Sequence, residues 1–185
     1  VMKLDDNRLL GDNTDGMGLL LDLQRLKFVH PNSRILMIGA GGATRGALLP
    51  LLEYDCDITL TNRTFSKVEL LVNEFSALGK MCGKEISQIV SADFDLIINA
   101  TSSGVSGKVP AINPNVFSDQ VACYDMFYQS SLTPFLEFAT QHQVTKIADG
   151  LGMLVGQAAF SFKLWHGILP EITPVLSALY KELKG

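Results

Sequence analysis

The segment that most constrains the fold joins a short apolar strand to a glycine-rich turn and then to a helix. Residues 34–39 predict the strand, and the helix is predicted from Ala43 to Tyr54. In such a turn the first glycine allows a tight bend, and the next lets the backbone approach a phosphate. The helix N-terminus adds unpaired N–H groups and a positive dipole. The segment therefore predicts a parallel α/β sheet that binds a dinucleotide pyrophosphate, through Gly39, Ala40, Gly41, Gly42 and Ala43.

The end of the next predicted strand, residues 57–61, indicates which dinucleotide is bound. NAD enzymes usually place an acid there, about 20 residues after the glycines, for the ribose 2′-hydroxyl. This chain instead has Asn62, Arg63 and Thr64, with Lys67 one helical turn later. A cation and hydroxyl donors suit a 2′-phosphate, so the sequence favours NADP. The alternative is a nucleotide-free Rossmann-like sheet with a solvated arginine, and two motifs at this spacing argue against it.

The glycine motif departs from the general pattern at its third position. Thr44 stands where a glycine is usual, and a glycine follows at Gly46. Thr44 is small enough for fairly close packing of helix on strand, and its hydroxyl could reach a phosphate. Arg45 lies in the first helical turn. The sequence leaves open whether Arg45 points to the phosphates or is a solvated surface charge.

Composition excludes several classes of partner. The 185 residues are 47% hydrophobic, yet Gln157 and Lys163 interrupt the most apolar stretch before it reaches a membrane-span length of about 18 residues. A net charge of −4 and a pI near 5.3 argue against nucleic acid or an anionic membrane as the main partner. The three cysteines are scattered without metal-ligand spacing, so we expect free thiols, no metal site and a cytoplasmic protein. They are Cys56, Cys82 and Cys123.

Strand and helix patterns alternate along most of the chain, which predicts a doubly wound parallel sheet with ligands at the carboxyl ends of its strands. From Gly150 onward the pattern changes to two helices. The start at Val1, within a hairpin-like segment turning at Asp6–Asn7, leads us to expect a piece of a longer protein. Further predicted elements are helices through Leu19 to Leu26, at 65–78, 84–90 and 133–142, and strands at 94–99, 121–125 and 145–148.

At this point the chain resembles the shikimate dehydrogenases, which reduce 3-dehydroshikimate to shikimate with NADPH in chorismate and aromatic amino acid biosynthesis. The matching motifs occur in the family's order and cover nearly the whole chain. They are Gly11-Asp-Asn-Thr-Asp-Gly16, Gly39-Ala-Gly-Gly-Ala43, Asn62-Arg-Thr64, Asn99-Ala-Thr-Ser-Ser-Gly104, Tyr124-Asp-Met-Phe-Tyr128 and Asp149-Gly-Leu-Gly-Met-Leu154 with Gln157.

The resemblance implies a cleft between an NADP domain, residues 15–149, and an α/β substrate domain that is largely missing here, together with its catalytic lysine. By the same resemblance, residues 1–14 end the substrate domain, and the helices of residues 150–185 return to it. We therefore expect this chain alone to bind NADP(H) without turning over substrate, and the parent to be a monomer or homodimer. The resemblance makes Asp15 catalytic and substrate-binding, with Tyr128 and Gln157 also on the substrate. It places Thr101, Ser102 and Met126 at the ribose and nicotinamide end of the cofactor, and Gly150 and Met153 beside the nicotinamide.

Each of these roles has a simpler alternative. Thr14 or Asp15 could be only a helix N-cap, Tyr128 an ordinary surface aromatic, and Gln157 a polar residue on a solvated face. Gly150, Met153, Leu154 and Gln157 do share one helical face by their spacing. At the level of function, the alternatives are a quinate/shikimate dehydrogenase of broader specificity, which would favour NAD, and a non-catalytic NADP-binding module.

Overall fold

A computed structural model describes residues 2–5, 8–91 and 93–184 of the chain. Its centre is a sheet of six parallel strands, and a separate antiparallel hairpin lies at the start. The hairpin strands are β1 (Met2–Asp5) and β2 (Arg8–Gly11), and the sheet strands are β3 (Arg34–Ile38), β4 (Asp57–Thr61), β5 (Met81–Gly83), β6 (Leu96–Asn99), β7 (Ala122–Asp125) and β8 (Lys146–Asp149). The helices are α1 (Asp15–Arg25), α2 (Gly42–Glu53), α3 (Phe65–Phe75), α4 (Pro134–Gln141), α5 (Leu151–His166) and α6 (Thr173–Lys184).

The strand order is β5-β4-β3-β6-β7-β8, so the chain starts the sheet in the middle and builds outward in two directions. β3 pairs with β4 on one side and with β6 on the other. The order reverses between β3 and β6, which is the topological switch point where open α/β sheets bind ligands. The predicted doubly wound parallel sheet is therefore confirmed.

Alternating apolar residues in the central strands supply two cores, one on each face of the sheet. Ile35 and Met37 of β3 face a cluster that includes α1, α2 and α3, whereas Leu36 and Ile38 face a cluster that includes α4. Burial on both faces explains why β3 reads as a continuous apolar run. The two clusters fix the sheet between two helical layers, so the carboxyl ends of the strands share one open edge.

Glycines allow α1 to lie in close contact with both α2 and α5. A Cβ on Gly16 would stand 2.1 Å from the carbonyl oxygen of Gly46 in α2. A Cβ on Gly18 would stand 2.4 Å from the backbone nitrogen of Gln157 in α5. Because side chains at these positions would force the helices apart, the two glycines bring the first turn of α1 against both neighbours.

The C-terminal helix α6 covers the start of α5 with only part of its apolar stripe. Leu176 is buried with Leu151 and Val155 of α5, and Ile172 and Leu179 pack beside them. Val175 and Leu183, which the sequence places on the same stripe, are exposed. In the described part of the chain, no helix combines the length and apolar character needed to cross a membrane.

Most predicted elements occur within a few residues of their expected positions, and the differences are at short segments. The edge strand β5 was not predicted, and the helix expected at 84–90 is only a single 3₁₀ turn, Ile86–Gln88. α3 ends at Phe75 and continues as a 3₁₀ turn to Leu78. The β1–β2 pairing agrees with the expected hairpin, while its turn at Asp6–Asn7 lies outside the described residues.

Candidate functional site

The turn after β3 and the loop after β6 lie side by side at the switch point. Gly39 begins the turn with φ +117°, a conformation that side-chain-bearing residues rarely adopt. A Cβ at Gly39 would stand 2.9 Å from the Ala100 carbonyl oxygen and 3.2 Å from the Thr101 methyl group. Gly39 is therefore needed both for its backbone angle and for its close contact with the loop after β6.

The rest of the turn is open where a phosphate would lie. A Cβ at Gly41 or Gly42 would meet no atom within 4 Å, so both glycines leave free space at the start of α2. Gly41 is the N-cap residue and offers no side chain to satisfy the first N–H groups of that helix. Those N–H groups have no intrahelical partner, and they face the kind of space that an anion fills.

Thr44 and Arg45 point away from this space. The Thr44 hydroxyl is buried and donates to the Gly39 carbonyl oxygen at 2.8 Å, so it holds the turn and its proton is engaged by the backbone. The Arg45 guanidinium makes a two-pronged ion pair with Glu74 near the end of α3 and lies over the Phe75 ring. Of the two roles that the sequence left open for Arg45, the structure therefore favours the surface charge, which is paired with Glu74.

The end of β4 carries a set of polar donors beside that turn. The Asn62 side chain donates to the Thr64 carbonyl oxygen at 3.0 Å and so fixes the bend into α3. The cations of Arg63 and Lys67 are exposed, and neither has a partner among the residues that the structure describes. Thr61, which precedes them, has a buried hydroxyl without a hydrogen-bond partner. This corner therefore offers free donors and positive charge, which suit a phosphorylated ribose.

The ends of β6 and β7 are joined by a buried polar network. Asn99 at the end of β6 accepts from the Thr101 hydroxyl at 2.7 Å and donates to the Asp125 carboxylate at 3.0 Å. Asp125 also accepts from the Thr133 hydroxyl at 2.6 Å and from the Phe127 N–H at 3.1 Å. The network shapes the two loops that carry Ser102, which is exposed, and Met126, which is half-buried. The Thr101 hydroxyl is thus engaged in a hydrogen bond within its own loop.

Burial makes the Asp125 carboxyl unusually hard to ionise. It raises the pKa of Asp125 to about 6, although the three hydrogen bonds oppose the effect. A folded-state pKa above the ordinary value means that the folded protein binds the proton more tightly than the unfolded chain. This contribution to stability is present in full below pH 4 and is lost as the pH rises toward 6. A difference of about 2 between the folded and unfolded pKa corresponds to roughly 3 kcal/mol.

Asp15 is the first residue of α1 and does not cap it. The N-cap residue is Thr14, whose hydroxyl lies 3.0 Å from that of Ser161 in α5 and makes no capping bond. Asn13 supplies the local bond, because its side-chain oxygen accepts from the Asp15 N–H at 2.8 Å. Within the described residues the Asp15 carboxylate has no partner. Thr14 therefore occupies the N-cap position without making a capping bond, Asp15 follows it as the first residue of the helix, and the Asp15 carboxylate is available to a ligand.

The start of α5 borders the same edge of the sheet. Gly150 is buried, and a Cβ on it would stand 2.1 Å from the Met126 carbonyl oxygen, which brings these two positions into contact. Met153 and Gln157 are half-buried, and the Gln157 amide donates to the Leu154 carbonyl oxygen of its own helix at 3.0 Å. Tyr128, in the loop after β7, is 38% exposed. The structure thus brings Gly150 against Met126 and places Met153 and Gln157 on the helix that follows Gly150.

A buried cluster that the sequence patterns did not predict lies against the first turn of α5. The Tyr124 hydroxyl of β7 donates to the Asp22 carboxylate of α1 at 2.9 Å, and Arg25 forms an ion pair with that carboxylate at 2.7 Å. Asp22 is 1% exposed. Its position among Leu19 and Leu23 on the apolar stripe of α1 was the available signal, since a charge on a buried face needs a partner.

Comparison with known families identifies the chain. The family model described as shikimate / quinate 5-dehydrogenase matches residues 22–107. A second model, the shikimate 5′-dehydrogenase C-terminal domain, matches residues 150–180. The chain belongs to the shikimate dehydrogenase family. The resemblance predicted from the sequence motifs is therefore confirmed.

Solved structures of other proteins match this family fold over nearly the whole chain. An Ael1 enzyme from Pseudomonas putida is 36% identical, with a TM-score of 0.90 over 96% of this chain. A shikimate dehydrogenase in complex with NADP⁺ is 28% identical, with a TM-score of 0.83 over 100% of this chain. The shikimate 5-dehydrogenase of Thermus thermophilus, in complex with NADP(H) and shikimate, is 29% identical, with a TM-score of 0.81 over 98%.

The chain is shorter than each of these three proteins. It spans 66% of the length of each of the first two and 67% of the third. Within that span its six parallel strands and flanking helices match the cofactor-binding part of the family. The residue roles and domain boundaries expected from the sequence remain predictions.

Proposed function

We propose that this chain is the cofactor-binding part of an NADP-dependent shikimate dehydrogenase, which reduces 3-dehydroshikimate reversibly to shikimate. The observation that carries the proposal is the pairing of two features at the carboxyl ends of the neighbouring strands β3 and β4. One is the open turn at Gly41 and Gly42, and the other is the set of unpaired donors at Arg63 and Lys67. Family membership and relatives with bound NADP support the same cofactor.

The chain's residues fit the cofactor from one end to the other. The N–H groups at the start of α2 receive the pyrophosphate, and the Arg63 guanidinium with the Thr64 hydroxyl receives the 2′-phosphate. Asn62 holds the bend that presents them. Met126 and Gly150, which touch each other, border the nicotinamide. Bound NADPH would supply the hydride for carbonyl reduction.

The substrate-facing residues are proposed to lie where α1 and α5 cross. Asp15 stands three residues before Gly18, which contacts the Gln157 backbone, so both side chains border one end of that crossing. The Asp15 carboxylate accepts a hydrogen bond from a substrate hydroxyl and holds it near the hydride-receiving carbon. Gln157 and Tyr128 offer neutral donors to other hydroxyls. We propose that the chain alone binds cofactor but does not turn over substrate.

The test is a pair of titrations of the 185-residue chain with NADPH and NADH at one ionic strength. We expect NADPH to bind at least about 10-fold more tightly, because only NADPH carries the phosphate that Arg63 and Lys67 contact. Equal affinities would contradict the NADP assignment and favour the broader quinate/shikimate branch. Binding of neither cofactor would contradict the proposed function as a whole.

A second assay addresses activity. The chain is incubated with NADP⁺ and shikimate, and NADPH formation is followed by absorbance, with a preparation carrying Asp15→Asn made in parallel. We expect no shikimate-dependent signal from either preparation. A steady signal that disappears with Asp15→Asn would show that the chain is itself an active enzyme. It would contradict the proposal that the chain binds cofactor without turning over substrate.

A further inference from the structure

We propose that Asp22 and Tyr124 are positioning residues that hold the first turn of α5 against the nicotinamide end of the cofactor site, a role that rests on the proposed function. Both side chains are buried, and neither belongs to the phosphate-binding turn or to the corner after β4. They connect three elements, namely α1, β7 and α5. The inference follows from the contacts that each of them makes with the start of α5.

Tyr124 satisfies an N–H group that the helix itself cannot satisfy. The N-cap of α5 is Gly150, which has no side chain to accept from the first turn. Asp149 accepts from the Leu151 N–H at 3.2 Å, and the Tyr124 hydroxyl oxygen accepts from the Met153 N–H at 3.3 Å. The same hydroxyl donates its proton to Asp22 at 2.9 Å. Tyr124 therefore replaces a capping side chain and links the helix start to α1.

Asp22 supports the same turn from below. A Cβ on Gly152 would stand 2.1 Å from the Asp22 carboxylate, so the α5 backbone lies directly on that group. A carboxylate at a helix N-terminus interacts favourably with the helix dipole. Arg25 holds the carboxylate from the other side, because its Nε donates to Oδ1 at 2.8 Å. The turn cannot move toward α1 without displacing a buried, ion-paired group.

The opposite side of the turn is fixed by the loop after β7. A Cβ on Gly150 would stand 2.1 Å from the Met126 carbonyl oxygen, so this contact is also backbone against backbone. Gly150, Met153 and Met126 are the residues proposed to lie beside the nicotinamide. Losing the Tyr124 hydroxyl should therefore disturb the nicotinamide end. The adenosine end should be unaffected, because its residues belong to the segment after β4 and the first turn of α3.

The hydrogen bond from Tyr124 to Asp22 persists over a wide pH range. Burial, together with the neighbouring Asp22 charge, raises the pKa of Tyr124 well above its ordinary value. The hydroxyl therefore keeps its proton and remains the donor throughout the range in which the protein is studied. Positioning by this pair should accordingly not change with pH across the neutral range.

The experiment compares two ligands that share the adenosine end. NADPH carries the nicotinamide, whereas 2′,5′-ADP carries the adenosine and 2′-phosphate without it. For Tyr124→Phe, which keeps the buried ring and removes only the hydroxyl, we expect the NADPH dissociation constant to rise about fivefold, the scale of one hydrogen bond. The constant for 2′,5′-ADP should change less than about twofold. The emission maximum of bound NADPH should move toward that of free NADPH.

Two further variants complete the test. Asp22→Asn keeps the shape of the side chain and removes the charge beneath α5, so it should weaken NADPH selectively in the same way. If Tyr124→Phe does not fold, Asp22→Asn alone tests the positioning role. Tyr54→Phe is the matched control, because Tyr54 is a half-buried tyrosine in the same core at the far end of α2. We expect both ligands to bind Tyr54→Phe as they bind the wild type.

The outcomes separate this inference from the proposed function. Should the wild-type chain bind neither ligand, the proposed function fails and the positioning role fails with it. Suppose that the wild type binds NADPH and 2′,5′-ADP, and that Tyr124→Phe and Asp22→Asn bind each ligand as tightly as the wild type does. In that case only the positioning role is overturned. Equal weakening of both ligands would also overturn it, since that result indicates a general loss of structure.

Discussion

Cofactor discrimination by Arg63 is the most direct consequence of the geometry at the end of β4. The Arg63 guanidinium is exposed and has no partner among the described residues, so removing it breaks no contact that the structure shows. A charge-assisted hydrogen bond to a phosphate contributes about 1.5–3 kcal/mol. Because the side chain is exposed, the lower end of that range applies. At about 1.4 kcal/mol per decade, Arg63→Ser should weaken NADPH binding about 10-fold.

The effect on NADH should be small, because NADH lacks the 2′-phosphate. Both dissociation constants are measured by fluorescence titration at one ionic strength, since exposed charges are screened by salt. Lys146→Ser is the control, because it changes the net charge equally at the amino end of β8. Four strand spacings, roughly 19 Å, separate β8 from β4. Equal losses for NADPH and NADH on Arg63→Ser would refute the reasoning, since Arg63 would then act on the fold or on the shared adenosine.

Three other positions give predictions of their own. Gly39→Ala should lower the free energy of unfolding by about 3 kcal/mol, through backbone strain and contact with Ala100. Gly107→Ala, at φ +68° in open space, should lower it by only about 1 kcal/mol, and thermal denaturation measures both. The free energy of unfolding of Asp125→Asn, measured relative to the wild type in denaturant titrations, should rise by up to about 3 kcal/mol between pH 4 and pH 7. A difference that does not change with pH would contradict the raised pKa of Asp125. In a preparation that reduces 3-dehydroshikimate, Asp15→Asn should lower turnover about 10²-fold or more, and near-normal turnover would remove its catalytic role.

The central sheet could be predicted because its signals are local. Each of the central strands is an apolar run, and the glycine turn after β3 follows directly from the sequence. β5 was missed because three edge residues are too few to show a period of two. The helix expected at 84–90 contains apolar residues, but Lys84 still pairs with β4 through its backbone, so the helical segment is shortened.

The positions of the candidate site residues could be predicted, but not what their side chains contact. Arg45 follows the glycine turn in sequence, yet its guanidinium is drawn to Glu74, 29 residues later. Thr44 likewise satisfies a backbone carbonyl of the turn. Competition of this kind between a ligand and a protein partner is decided by tertiary contacts, which spacing along the chain does not record.

The Asp22–Tyr124 contact illustrates the same limit across a longer interval. The two residues are 102 positions apart, and they meet only because α1 and β7 pack on one face of the sheet. A charged residue on the apolar face of α1 indicates that some partner exists. It does not indicate which strand supplies that partner, because several strands of a parallel sheet face the same helix layer.

Backbone contacts, more than side chains, determine how the proposed substrate residues stand relative to the phosphate turn. Asp15 begins α1, and the adjacent Gly16 lies against Gly46 of α2, the helix that starts at the turn. Gly18 lies against Gln157 of α5, and Gly156 contacts Gly18 in return. Backbones in contact leave little room for sliding, since no flexible side chain lies between them. We therefore expect the distance between Asp15 and the cofactor phosphates to be set by these glycines, which links the precision of the site to the packing of the fold.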